Sequence, residues 1–284
     1  MSGKMNKNAQ INASAKATAN AKANVSGNAE TNAKANAKAN ADVEFLSTLN
    51  PEQQQAVTYT GKSLLILAGA GSGKTRVITT KIAWLIVNGL ARPHEIRAVT
   101  FTNKAAGEMS ERVRSLVPES RGVLVRTFHS FCAYVLRRFA AEAGLDPHFT
   151  IYDDDDSVEL LSACYESAQK RELKKYARMI SRAKDYLLDA DDDLSEISSD
   201  PDLPEYYRAY QKRLDGMGNC DFGDLIGKTV KLLRSNGDVR ARMTDRFTQI
   251  LVDEYQDSNV AQFELLKSLV GPNASLCVVG DDDQ

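Results

Sequence analysis

The chain has 284 residues, 43% hydrophobic and 26% charged, a balance that excludes a collagenous or wholly disordered polypeptide. Its 36 basic and 38 acidic residues leave a formal charge of −2, so any nucleic-acid surface has to be local. Cys132, Cys164, Cys220 and Cys277 form no CxxC pair, which argues against zinc and against a disulfide framework, and no apolar run approaches the ~18 residues of a membrane span. Residues 1–44 are mostly Ala, Asn and Lys in short units such as AKAN, without an aromatic residue. No unit offers an apolar face to bury, so a low-complexity, disordered tail is expected. Its lysines precede no apolar h-region, and the first arginine is Arg76, so neither a secretion signal nor a transit peptide is expected; the expected location is cytoplasmic.

From Leu64 the chain alternates strand and helix. Leu64–Leu67 is a short apolar run ending in glycines, expected as a buried strand. Lys74 to about Val87 has helical spacing at Ile78, Ile82 and Leu85, and Asn88-Gly89 stops it. Arg97–Phe101 predicts a second strand and Asn103 the cap of the next helix. Val123–Val125 predicts a third strand, followed by a helix through Phe131, Val135 and Phe139. Ile250–Val252 and Leu276–Val279 resume the strand pattern. Such alternation predicts a parallel sheet with helices on both faces. Between them, residues 144–219 show no convincing strand and carry a charged, helical pattern with breaks at Asp200-Pro201 and Leu203-Pro204. The expected organisation is a tail over 1–44, an α/β domain over 45–143 and 220–284, and an inserted helical subdomain over 144–219.

Ala68-Gly69-Ala70-Gly71-Ser72-Gly73-Lys74-Thr75 stands between a predicted strand and a predicted helix. The glycines let backbone N–H groups turn inward around phosphate oxygens, and the helix N-terminus adds its positive end. In such a loop Lys74 reaches the β- and γ-phosphates and Thr75 holds Mg²⁺. The strict pattern has glycine where Ala68 stands. Ile250-Leu251-Val252-Asp253-Glu254 is a buried strand ending in two acids, the first suited to the Mg²⁺ shell and the second to taking a proton from attacking water. A third apolar strand ends in Gly280-Asp281-Asp282-Asp283-Gln284 at the same expected sheet edge. Together these predict a nucleoside triphosphatase using ATP and Mg²⁺. The residues alone do not separate kinases, GTPases and motors.

In several ordered blocks from about Leu46 to Gln284, the sequence resembles the N-terminal part of a UvrD/PcrA/Rep-type superfamily 1 DNA helicase. Leu49–Val57 resembles the family's glutamine motif, which implies that Gln53 reads adenine. Ala68 to Arg76 is similar to its phosphate loop, in which alanine at the first position is usual; this implicates Ala68, Gly69, Ala70, Gly71, Ser72, Gly73, Lys74, Thr75 and Arg76 in nucleotide binding. Thr100–Ala106 and Thr127–Phe131 resemble two motifs that contact single-stranded DNA, which implicates Phe101, Thr102, Asn103, His129 and Ser130. Val252–Asp257 is similar to motif II, and Val279–Gln284 to the start of motif III, where the resemblance makes Gln284 the γ-phosphate sensor. The implied fold is a RecA-like P-loop sheet. The implied activity is ATP hydrolysis coupled to 3′-to-5′ movement on single-stranded DNA and unwinding of 3′-tailed duplex DNA, with a place in DNA repair. Glu254, Lys74 and Gln284 are the implied catalytic residues, and Thr75 and Asp253 the metal ligands.

Two positions depart from the family pattern. Gly223, in Asp221-Phe222-Gly223-Asp224-Leu225, stands where the family usually has an acid, and Asp185 where it often has Asn. The sequence also stops inside motif III, before the second motor domain with its arginine fingers. The expectation is therefore the first motor domain of a helicase, impaired in hydrolysis. The alternative is an ATP- and single-strand-binding module without unwinding activity.

Weaker features carry two readings each. Phe101 suits base stacking, while a Phe at a strand end is also ordinary core. His129 alone reads as a capping or core histidine. Lys170, Lys174, Arg178 and Arg182 recur every four residues, giving either a solvated helix face or a phosphate track. Asp153–Asp156 lacks the glycine and distal glutamate of a calcium loop and reads as a solvated helix start, as does Asp191–Asp193.

Overall fold

The computed structural model describes residues 46–69 and 71–281. The expected tail, Ala70 and Gln284 lie outside the described residues. The chain divides into two compact units, residues 1–55 and 56–284. In the first, Asn50 and Gln53 form a reciprocal cap at the start of α1 (Pro51–Thr58): Gln53 N donates to Asn50 Oδ1 at 2.8 Å and Asn50 N to Gln53 Oε1 at 3.1 Å.

The second unit is built on five parallel strands: β1 (Ser63–Leu67), β2 (Ile96–Thr100), β3 (Leu124–Thr127), β6 (Gln249–Val252) and β7 (Ser275–Gly280). Their order across the sheet is β1-β7-β6-β2-β3. Side chains alternate between two covered faces, which is why β6 and β7 read as nearly continuous apolar runs. Ala98, Leu251, Cys277 and Val279 pack under α2 (Lys74–Val87) and α3 (Asn103–Leu116). Val99, Ile250, Val252 and Val278 pack under α4 (Phe128–Arg138), with the short α5 (Ala140–Ala143) following it in the chain. The parallel sheet with helices on both faces is the RecA-like α/β arrangement.

Between β3 and β6 the chain runs through β4 (Ile151–Tyr152), α6 (Asp154–Cys164), α7 (Lys170–Asp185), α8 (Leu203–Gly216), β5 (Cys220–Asp221), α9 (Phe222–Ser235) and α10 (Gly237–Arg246). Helices α6 to α8 enclose a hydrophobic cluster of their own, from Val158 and Leu161 to Tyr207, Tyr210 and Leu214. Helices α9 and α10, together with α11 (Val260–Leu269), return to the core under the main sheet. Asp153 caps α6 through Asp155 N and Asp156 N, both at 2.9 Å, so the aspartate run is a helix start.

Several local expectations are corrected. Leu64–Leu67 is a strand but not a buried one: β1 is the sheet edge, and Leu65 and Leu67 are 57% and 55% exposed. Thr102, not Asn103, caps α3, because its hydroxyl accepts from Ala105 N at 3.1 Å while Asn103 is already helical. The stretch 144–219 contains a strand after all. Ile151–Tyr152 pairs with Cys220–Asp221, supported by Cys220 N donating to Thr150 O at 3.1 Å and Thr150 N to Asn219 Oδ1 at 3.0 Å. Two residues are too few to show a period. Leu203-Pro204 does not break a helix but starts α8, where proline's missing N–H costs nothing in the first turn.

Candidate functional site

The carboxyl ends of the strands place the chemistry along one edge of the sheet. β1 runs into the phosphate loop, whose Gly71 and Gly73 take φ of 76° and 85°. This left-handed backbone is what glycine supplies there. Gly73 is the N-cap of α2, and Lys74, Thr75 and Arg76 form its first turn. Ala68 N donates to Gly280 O at 3.1 Å and Ser72 N to Gly69 O at 3.3 Å, closing the loop on itself and on β7.

Lys74 Nζ donates to Ala68 O at 3.0 Å and to Asp281 Oδ2 at 3.1 Å, and lies 4.0 Å from Glu254 Oε2. Thr75 Oγ1 donates to Asp253 Oδ2 at 2.9 Å, bringing together the two residues read as metal ligands from opposite ends of the chain. Burial, with the adjoining Glu254 carboxylate, raises the Asp253 pKa, against the hydrogen bond from Thr75. A buried carboxylate beside a hydroxyl is a hard-oxygen donor set of the kind Mg²⁺ accepts, and the ion's charge would offset the burial of Asp253.

Glu254 takes φ of 53°, a left-handed conformation that costs a non-glycine residue roughly 1–3 kcal/mol and marks functional segments. Its surroundings hold it there. Gln256 Nε2 donates to Glu254 Oε2 at 2.7 Å, Glu254 N to Asp253 Oδ1 at 3.1 Å, and Asp257 N to Glu254 O at 3.0 Å. Gln256 Oε1 in turn accepts from Asp281 N at 3.0 Å. The glutamine thus joins the acid pair on β6 to the end of β7. The sequence reading has Gln256 in the block similar to motif II and Asp281 at this sheet edge, but gives neither a role. Their signal was only their position beside the strand ends, and their pairing depends on β6 and β7 being neighbours.

Lys74, Thr75, Asp253, Glu254 and Gln256 line a cleft of about 480 Å³ together with Phe101, Thr102 and Arg112. A second cleft, of about 380 Å³, is lined by Phe101, Thr102, Asn103, His129 and Ser130. All five residues singled out for DNA thus come to one place. Phe101 is half-buried, edge-on to Phe128 with centroids 5.4 Å apart, so it is both a core contact and a cleft wall. Ser130 is engaged locally: its amide and hydroxyl bond to Thr127 at 3.0–3.2 Å. Burial lowers the His129 pKa, which favours a neutral ring at pH 7. That ring meets Phe222 edge-on at 5.3 Å, and Phe222 is 45% exposed and lines the same cleft. Phe222 was also missed, since it lies 93 residues from His129 in the chain.

Phe222 continues into a third cavity, of about 480 Å³, whose walls include Lys174, Arg178 and Arg182 of α7. The basic stripe therefore faces a cavity, although Lys170 does not line it. Beneath it Lys184 Nζ donates to Asp221 Oδ2 at 2.6 Å and Asp224 Oδ1 at 2.7 Å, and Tyr210 Oη to Asp221 Oδ2 at 2.8 Å. Gly223 has a steric reason to depart from the family pattern: a Cβ there would lie 2.6 Å from Lys184 Cβ. Asp185 accepts from Asn259 Nδ2 at 2.6 Å, tying the end of α7 to the cap of α11.

Residues 49–284 match the family model of the UvrD/REP helicase N-terminal domain. The chain belongs to this family. It is 44% identical over 262 residues to the ATP-dependent DNA helicase UvrD1 of Mycobacterium leprae (strain TN), covering 84% of this chain and 34% of that protein. It is 41% identical over 243 residues to the ATP-dependent DNA helicase Rep of Escherichia coli (strain K12), covering 83% and 36%. With the ATP-dependent DNA helicase PcrA of Bacillus subtilis (strain 168) the identity is 40% over 249 residues, covering 85% and 34%. The chain thus spans about a third of the length of these family members. Among the described residues, no helix is long and apolar enough to cross a membrane.

Proposed function

We propose that this chain supplies the first motor domain of an ATP-dependent 3′-to-5′ DNA helicase, in which ATP hydrolysis drives movement along single-stranded DNA and unwinding of 3′-tailed duplex. Residues 45–143 and 220–284 are assigned to the ATPase domain and 144–219 to its inserted subdomain. The observation that carries the reading is the shared wall. Phe101 and Thr102 line both the cleft of Lys74, Asp253 and Glu254 and the cleft of Asn103, His129 and Phe222. A change at the nucleotide therefore reaches the strand through the residues at the end of β2. The direction of travel and the tailed substrate follow from the family resemblance.

In this reading the loop from Ala68 to Gly73 cradles the phosphates with backbone N–H groups. Lys74 exchanges Asp281 for the β- and γ-phosphates, and Arg76 adds charge from the first turn of α2. Thr75 and Asp253 would hold Mg²⁺, which would supply positive charge to offset the phosphates. Glu254 accepts a proton from the attacking water, with Gln256 fixing its carboxylate. By family resemblance Gln53 reads adenine and Gln284 senses the γ-phosphate. Single-stranded DNA passes over Phe101 and Phe222, whose faces suit sequence-tolerant stacking, with Thr102, Asn103 and His129 toward its backbone. Lys174, Arg178 and Arg182 continue the phosphate track.

Calorimetric titration tests both clefts. Wild type should bind Mg·ATP, and Lys74→Ala should lose most of that binding with a charge-assisted phosphate contact. Phe101→Ala should weaken single-stranded oligonucleotide binding by roughly 1–3 kcal/mol. Equal ATP affinity in wild type and Lys74→Ala would refute the nucleotide assignment.

A further inference from the structure

Four arginines gather around Tyr134, on the side of β2 and β3 that α4 covers. Arg97, the second residue of β2, is wholly buried, and its Nε, Nη1 and Nη2 have no hydrogen-bond partner. Its guanidinium lies 3.5 Å from the centroid of the Phe131 ring. Arg126, on the same face of β3, has a buried Nε without a partner, and its guanidinium stands 5.5 Å from the Tyr134 ring centroid. Arg246, at the end of α10, donates to Tyr134 Oη at 2.9 Å, and Arg138, at the end of α4, donates to the same oxygen at 3.2 Å. Among the described residues, none of the four forms an ion pair with a carboxylate. None of them lines the nucleotide cleft or the strand cleft.

This arrangement is electrostatically one-sided. Isolated buried charge is costly, and buried polar groups without partners call for an explanation such as an ion. Burial above all, with the neighbouring guanidiniums of Arg126 and Arg246, pushes the Arg97 pKa well down. Burial pushes the Tyr134 phenol up, but the hydrogen bonds and charges of Arg246 and Arg138 outweigh it and leave its pKa below the ordinary value. The outer members are reachable: Arg138 is exposed, and Arg126, Tyr134 and Arg246 are partly exposed. Tyr134 Oη already accepts two hydrogen bonds, so its proton remains to be donated outward.

We propose that Arg126, Arg138, Arg246 and the Tyr134 hydroxyl form a binding site for a phosphate group, with the buried Arg97 behind them. A carboxylate fills one guanidinium fork. Three forks converging from a strand and two helix ends, with a hydroxyl donor between them, match a tetrahedral dianion that offers an oxygen to each. The phosphate is either free or part of a nucleic-acid backbone. The site is independent of the nucleotide reading, because none of its residues lines either cleft.

The test uses the full 284-residue chain carrying Lys74→Ala, so that the phosphate loop does not report. Inorganic phosphate is titrated by calorimetry, with sodium chloride of matched ionic strength and sodium acetate as comparisons. Saturable binding of phosphate, tighter than acetate, is expected. Arg246→Gln, Arg126→Gln and the exposed Arg138→Gln should each weaken it about tenfold, the loss of one charge-assisted contact. Circular dichroism checks the fold, and Arg138→Gln, at an exposed side chain, keeps the test valid if a more buried variant unfolds. A blunt duplex oligonucleotide that competes with phosphate and shows the same arginine dependence identifies backbone phosphate as the source, and its failure to compete leaves free phosphate; both support the site. No saturable binding beyond chloride, acetate binding as tight as phosphate, or phosphate affinity unchanged in all three arginine variants would overturn it.

Discussion

Replacing Lys184 with methionine removes the ammonium that holds two carboxylates between the inserted helices and the sheet domain. The Lys184, Asp221 and Asp224 side chains are only 6%, 11% and 8% exposed, so water cannot take over the role of the lysine. Removing one partner from such a cluster costs about 3–5 kcal/mol, because the remaining charges stay buried. The lower part of that range applies here. Asp221 keeps its hydrogen bond from Tyr210, and Asp224 keeps Gln211 at 3.1 Å and Lys228 at 3.7 Å. A loss of about 3 kcal/mol is still large against a total stability of roughly 5–15 kcal/mol. The effect has a pH signature. Burial raises the Asp224 pKa in the folded chain while Lys184 pulls it down. A carboxyl whose folded pKa is raised loses stability as pH rises through that value. Without Lys184 the pKa rises further, so the deficit of Lys184→Met should be largest near pH 7 and shrink as pH falls through the carboxylate range. Urea unfolding followed by circular dichroism at pH 7 and pH 4.5 measures it. Adding Asp221→Asn and Asp224→Asn to Lys184→Met should recover most of the loss. A Lys184→Met protein within about 1 kcal/mol of wild type at pH 7 would show that the cluster is solvated and the reasoning wrong.

Two further outcomes are expected. Asp253→Asn should stabilise the ligand-free chain by roughly 0.5–2 kcal/mol near pH 7, since it removes a carboxylate disfavoured by burial and by Glu254, while abolishing the rise in melting temperature caused by Mg·ATP; a variant melting below wild type at pH 7 without ligand contradicts this. Gly223→Ala should destabilise by roughly 1–3 kcal/mol, because its methyl would press on the Lys184 stem and move the ammonium off Asp221 and Asp224; an unchanged urea midpoint would show that the stem yields freely.

The parallel sheet and the phosphate loop were legible in the sequence because each is local. A strand buried on both faces reads as an apolar run, and a left-handed loop before a helix demands glycine at Gly71 and Gly73. The DNA-directed residues came from family resemblance, and the structure adds that all five line one cleft. What stayed hidden depends on which distant segments become neighbours. Strand order decides that β1 is an edge, leaving Leu65 and Leu67 exposed where the run of apolar residues promised burial. The adjacency of β6 and β7 decides that Gln256 links Glu254 to Asp281. The return of the chain from the insert decides that Phe222 meets His129 and that Lys184 lies where a side chain at residue 223 would be. Arg97 shows the limit most plainly. In the sequence it reads only as the start of a strand, yet it is wholly buried against Phe131. Periodicity reports which face a residue occupies, but only the packing of α4 against β2 and β3 decides that this face has no water to offer a charge.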